Sequence, residues 1–485
     1  MLSVTAKAEK ADRTHYDWTY TSIDDMDWYV SHGYENYYPV MFDFFTKDDA
    51  PIEIGGKTYR KLYGTYAQFD GRGKSPLRTT ADETMYQFGI REETGRLLAS
   101  HDEYMALLAS DKPKLTPVGD PGYTPYEVTA DGEIVLYDFN MQAGDKFRSA
   151  DGHDDISVVK TGVMADDNGT ERRLLTLSNG IEAAEGLGCL GSQGAFIGWL
   201  NPEKEDNKRF TALTHVAAGA ETVYSRDVKD LVKSTLKSML NGYTRWDFYS
   251  ASLDKDGKIT GKTVYAMFAD NSVTARDGKV YRNIYLTGNG ETRLILSARE
   301  DGGRVYAGKE EYSGITDLIH KYPAVLTEYV PDVETGGDEI VLYDFNMRPG
   351  DRLRSVTGHE TVTVASVSDT VTADGNTRRQ LLLSNGMRII EGIGGIGLRT
   401  GSGTDAGAGT PFVTFSGFVK FNTGIYAKTD DEVISGIITG IGATRGEAST
   451  TGRRGIYNIK GQRLGEEPQQ GLYIKDGKKI IRQPQ

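Results

Sequence analysis

Two sets of polar residues stand at the same spacing in two places along this 485-residue chain. The first is Asp138, Asn140, Asp145, Arg148, Ser149 and His153. The second is Asp344, Asn346, Asp351, Arg354, Ser355 and His359. Carboxylates, amides and backbone oxygens suit a hard cation such as Ca²⁺, or the hydroxyls of a sugar. On that reading Asp138, Asn140, Asp145 and His153, and in parallel Asp344, Asn346, Asp351 and His359, are a duplicated ligand site. The competing reading is turn chemistry. Asp and Asn bond to their own backbone, Gly144 and Gly350 supply special dihedrals, and Asp–Arg pairs tie a turn to its neighbours. The spacing matches no metal loop, and turn chemistry is the commoner cause of such a pattern. No cofactor is expected, and Ca²⁺ is the one ion the residue types would suit.

One histidine per set cannot make a zinc site, which wants three or four ligands. On a strand, Asp154 and Glu360 would point away from the histidines they follow. Cys189 is the chain's one cysteine, and its counterpart in the second set is Gly395. No flanking motif marks it as a nucleophile, so it reads as a small buried residue. Arg172-Arg173 and Arg378-Arg379 recur before a strand and are expected to pair with carboxylates such as Glu185 and Glu391. No phosphate-binding loop, dinucleotide fingerprint, nucleophile elbow or zincin helix is present.

These residues sit in a long internal repeat. Glu133 to Gly191 aligns with Glu339 to Gly397 without a gap, and 28 of the 59 pairs are identical. Weaker matches precede it. Thr58 to Tyr63 pairs with Val280 to Tyr285, and Arg91 to Arg96 with Arg299 to Arg304. The offset falls from 222 to 208 between those blocks, so the first copy carries a longer connection within Gly64–Glu83, read as a surface loop. Ile134 to Tyr137 is a short apolar strand. Leu174 to Leu177 and Leu381 to Leu383 lead into Ser-Asn-Gly, which predicts hairpins with type I′ turns. Glycines of the Glu-Gly-x-Gly segments at Glu185 and Glu391 suit a bend. Helix is scarce. The best stretch is Asp227 to Asn241, capped by Asp227, with shorter ones at Asp102–Ala109 and Gly314–His320.

The fold class is therefore mainly β: two tandem homologous antiparallel β domains of sandwich type with minor helix, plus a small C-terminal β-hairpin domain. The boundaries read 1–14 as a loose N-terminus, 15–226 as the first copy, 227–428 as the second (opening with the helix 227–241), 429–451 as a linker and 452–485 as the tail. A net charge of −13 disfavours nucleic acid as a partner. No window is long and apolar enough for a membrane-spanning helix. A monomer is expected.

The tail, Ile456-Tyr457 through Gly461 and Leu464, then Gly471-Leu472-Tyr473-Ile474 and Asp476-Gly477-Lys478-Lys479, resembles the C-terminal sorting domain of exported Bacteroidota proteins of the type IX secretion class. It departs at its end, where Arg482-Gln483-Pro484-Gln485 follows the apolar strand. The repeated body resembles uncharacterised exported proteins of the same bacteria. The resemblance implies a secreted or cell-surface address and no reaction. The expected function is non-enzymatic binding or display, with a glycan or a surface protein as partner. Tyr residues and the four Trp, Trp18, Trp28, Trp199 and Trp246, are the groups that would stack on a sugar if exposed. The alternative is a secreted hydrolase with a site between the repeats. Aromatic patches at equivalent spots in both copies would favour binding.

Overall fold

A computed structural model describes residues 15–23, 26–31, 40–47, 50–69, 76–79, 85–109, 127–129, 131–148, 155–178, 180–190, 210–254, 256, 258–288, 290–315, 318, 327–333, 335–356, 360–396, 398–400, 411–421, 423–429, 456–458, 463–464, 471–475 and 478–482. Ser149, His153, His359, Trp199, the tail 1–14, the linker 430–451 and the Asp476-Gly477 turn lie outside the described residues.

The protein is mainly β, with antiparallel sheets and short helices. It divides into two compact units. Unit 1 is Met1–Thr244 with Ala269–Asn283 and Lys420–Thr423; unit 2 is Arg245–Phe268, Ile284–Val419 and Gly424–Gln485.

In unit 1 the large sheet runs in the order Glu221–Ser225, Phe210–Ala218, Tyr16–Ile23, Val40–Thr46, Lys57–Phe69, Met85–Glu93, Arg96–Ser100, Glu133–Asp138 and Glu127–Val128. A second sheet follows as a meander from Lys146–Arg148 through Asp155–Ala165, Glu171–Leu177 and Glu182–Ala184 to Gly188–Leu190. Alternation puts Trp18, Tyr20, Phe44, Leu62, Phe88, Leu136 and Leu213 into one core.

The other large sheet repeats this order except at its last strand: the short strand ahead of Glu339–Asp344, Tyr329–Pro331, pairs instead with Arg352–Ser355 in the companion sheet. From Thr423–Ala427 it passes through Pro411–Lys420, Thr244–Leu253, Ile259–Arg276, Lys279–Gly288, Glu291–Asp301 and Arg304–Gly308 to Glu339–Asp344. Its companion sheet, Arg352–Ser355 to Gly394–Ile396, repeats the meander. In unit 2 Trp246 packs on Phe418 at 5.6 Å and Phe248 on Phe415 at 5.9 Å between ring centroids.

Several sequence expectations need correction. The described residues of the stretch read as a loop are strand: Lys57–Phe69 continues past Gly64, and Pro76–Thr79 pairs back onto it. The hairpin after Leu383 forms, but its turn is not type I′. Leu383 N–H bonds to Met387 C=O across a three-residue loop in which only Gly386 has positive φ (+84°). That is the type I turn closed by a left-handed glycine. Helix Val228–Lys237 starts as expected, with Asp227 accepting from Lys229 N–H and Asp230 N–H, but ends at Ser238. It groups with unit 1 rather than opening unit 2. Helix His101–Ala109 falls where predicted. The other short helix, Lys309–Ser313, lies ahead of the predicted span, within which Leu318 is also helical.

The tail is more than a hairpin. Its four-stranded sheet has the order Arg463–Leu464, Ile456–Asn458, Gly471–Lys475, Lys478–Arg482. It is grouped with unit 2.

Candidate functional site

The described carboxylates and amides of the repeated polar set are taken up by their own turns and by an arginine of the neighbouring strand. Asp138 Oδ2 accepts from Arg96 Nε at 2.7 Å, and its Oδ1 accepts from Asn140 N–H at 2.9 Å. Asn140 donates to Thr94 C=O, and Asp145 accepts from Gln142 N–H at 2.7 Å. In the second copy Asp344 takes Arg304 at 2.7 Å and Asn346 N–H at 2.9 Å, Asn346 donates to Gly302 C=O, and Asp351 accepts from Arg348 N–H. The structure thus joins Asp138 to Asn140 and Asp344 to Asn346. Asp145 and Asp351 each close a separate short turn. Among the described residues no three His, Cys, Asp or Glu side chains converge so as to hold a metal ion.

The first arginine of each pair finds another carboxylate than the one expected. Arg172 pairs with Asp166 at 2.7 Å and Arg378 with Asp374 at 2.9 Å. Glu185 and Glu391 instead accept from the backbone N–H of Arg173 and Arg379, and their carbonyls accept from Arg172 and Arg378. The Glu-Gly-x-Gly bend is also held from the opposite side. The Trp18 indole donates to Gly186 C=O and the Trp246 indole to Ile393 C=O. Both Trp are core residues, 3% and 0% exposed, so neither is a stacking surface. The Trp28 side chain is not described.

Sequence reasoning missed Glu133. This buried carboxylate accepts from Arg91, Lys57 and Tyr59, and Glu339 meets Arg299 in the same way. Burial alone would raise its pKa, but those three donors outweigh burial and bring it to about 2. Cys189 is fully buried, its Sγ 3.3 Å from the Tyr137 hydroxyl, and burial pushes its thiol up to about 12. A protonated thiol is no nucleophile. A small recess lined by Trp18, Glu92, Arg96, Leu97, Tyr137, Phe139 and nearby glycines lies on the same unit.

Aromatic rings do reach the other face of the large sheets. Phe44 and Leu62 point into the core at 4% and 0% exposure, so their strand neighbours Phe45 and Tyr63 point away from it. These two sit opposite each other in register, half-buried, with centroids 6.2 Å apart and planes 24° apart. Tyr86, opposite Tyr63, extends the row at 5.9 Å, tilted by 63°. Its hydroxyl donates to the Glu103 carboxylate at 2.8 Å. Exposed Lys47 places its ammonium 4.5 Å from the Tyr63 centroid, so that ring is reachable from solvent.

The second repeat has the same feature. Met267 and Ile284 are fully buried, and their neighbours Phe268 and Tyr285 stack at 5.3 Å and 18°, half-buried. Tyr285 is the residue that aligns with Tyr63 in the repeat. That alignment was the available signal; the cross-strand register that brings each Phe to its Tyr was not.

No family model matches the chain, and no curated protein matches it. Among solved structures it is similar to a crystal structure of a protein of Nitrosomonas europaea provisionally named AttH. The identity is 11%, with 82% of this chain and 92% of that chain covered and a TM-score of 0.10. A likeness that slight carries no argument.

Proposed function

We propose that this is an exported, non-catalytic binding protein that holds a glycan on the aromatic face of each repeat. The observation that carries the reading is the half-buried Phe–Tyr stack at equivalent positions, Phe45 with Tyr63 and Phe268 with Tyr285. An aromatic face offers a sugar both apolar contact and a π surface for its C–H groups. Two modest sites on one chain gain avidity for a repeating ligand. Among the described residues, the polar side chains most alike between the copies are spent on turns and ion pairs, which favours binding over hydrolysis. Export rests on the resemblance of the tail to a sorting domain.

The test is a glycan array probed with the intact chain and with the Tyr63→Ala, Tyr285→Ala double variant. The intact chain is expected to bind a saccharide that the variant does not. A glycan-blind intact chain would overturn the reading, and cleavage of a bound glycan would replace it with the hydrolase. For the address, a reporter carrying residues 452–485 is expected to reach the outside of a type IX-competent cell.

A further inference from the structure

The two aromatic faces are alike in their central pair and different at the edges. Two residues beyond Phe45 stands Lys47; two beyond Phe268 stands Asp270. By the offset that aligns the Arg91 and Arg299 blocks, Tyr86 corresponds to Leu294. Leu294 is 51% exposed, so in the second repeat the third ring is replaced by an open aliphatic edge.

Lys47 decides what the first face prefers. Its ammonium lies over the Tyr63 ring at 4.5 Å and 5.8 Å from the Phe45 centroid. It has no carboxylate partner among the described residues. The other end of the face is acidic: Asp43 is bound by the Thr19 hydroxyl at 2.6 Å, and Asp17 has its pKa raised by burial and then by Asp43. Only one end therefore favours an anion.

Resting on the glycan reading above, we infer that the face of the first repeat selects a carboxylated pyranose, a sugar of the uronic-acid class. Its ring packs against Phe45 and Tyr63, and its carboxylate meets Lys47. The face of the second repeat has no lysine two residues beyond its Phe and takes neutral sugar. A cation already held over an aromatic ring gives up little order when an anion arrives beside it. The pair that forms is exposed and therefore salt-sensitive.

The experiment is titration of the intact chain with three probes: an oligogalacturonate, the same oligomer fully methyl-esterified, and a neutral gluco-oligosaccharide, each at low and at raised salt. The ester keeps the ring and removes the charge. The acid form is expected to bind about three- to five-fold more tightly than its ester at low salt. Raised salt, or Lys47→Gln, should abolish that margin, and Tyr63→Ala should weaken both forms. If the ester binds as well as the acid, or Lys47→Gln keeps the preference, this inference fails while glycan binding stands. If none of the three probes binds, and the array is also blank, the glycan reading itself falls.

Discussion

Arg378 and Asp374 form an ion pair in which both side chains are fully shut off from solvent, Nη2 to Oδ2 at 2.9 Å. Arg378 Nε also donates to Thr372 Oγ1 at 2.8 Å, and that hydroxyl in turn donates to Asp374 at 2.6 Å. In the first repeat Arg172 meets Asp166. The alignment pairs Asp166 with Thr372 and Asn168 with Asp374. The arginine has stayed while its acid has moved two residues along the turn. A buried guanidinium left without a carboxylate is costly, so one change required the other.

Asp374→Asn is therefore expected to destabilise the protein by about 3–5 kcal/mol, because it strands a buried cation. Adding Thr372→Asp recreates the first repeat's pattern and should recover most of the loss. Denaturant midpoints of the single and double variants check this. A loss under about 1 kcal/mol for Asp374→Asn would show that the pair carries little.

Glu133 sets an acid limit. Its carboxyl is held near 2 in the folded protein against 4.5 for a free side chain. A depressed acid contributes stability above its unfolded pKa and loses it as pH falls toward its folded pKa. The loss should run from about pH 4.5 down to about 2 and amount to no more than about 3 kcal/mol. Glu133→Gln should flatten that part of the stability–pH curve and lower the plateau at pH 7. An unchanged acid limb in the variant would assign the effect to other carboxylates.

What could be read from the chain was local or duplicated. The Asp227 cap, the hairpin after Leu383 and the bend at Glu391 lie within a few residues of their partners, and the repeat doubled the signal for the last two. Turn type was misread, because Asn-Gly fits both a two-residue and a three-residue loop and only the dihedrals tell them apart. The carboxylate for Arg378 was misassigned to Glu391. Both Asp374 and Glu391 lie near Arg378 in sequence, and only the folded turn shows that Asp374 is the one that meets its guanidinium. The Phe45–Tyr63 pair was invisible because it depends on the register of two strands joined by a connection of unknown path.

Cys189 should resist alkylation. With its thiol pushed to about 12 and no access to solvent, the folded protein should react with iodoacetamide at pH 8 only through unfolding. Mass-shift labelling in buffer and in denaturant separates the cases. Fast labelling of the native protein would reopen Cys189 as a candidate nucleophile for the hydrolase alternative.

Unit 1 is not completed by its own stretch of chain. Lys420, fully buried, donates to Thr235 C=O at 3.0 Å and Asn241 C=O at 2.6 Å, satisfying carbonyls at and beyond the C-terminal end of the Val228–Lys237 helix. Phe421, also fully buried, sets its ring against Phe210 at 6.1 Å and over Gly242. A Cβ on Gly242 would lie 2.5 Å from that ring, and its φ of +75° already favours glycine. Val273 N–H, in the tip of the long hairpin, bonds to Ser178 C=O at 3.0 Å. Phe421→Ala should therefore cost about 3–5 kcal/mol. A fragment ending at Thr244 should lack the cooperative transition of unit 1, since it loses the cap, the ring and the hairpin tip together. Thermal unfolding of that fragment beside the full chain is the check. A fragment that melts sharply at the full chain's temperature would show that residues 269–283 and 420–423 decorate unit 1 rather than complete it.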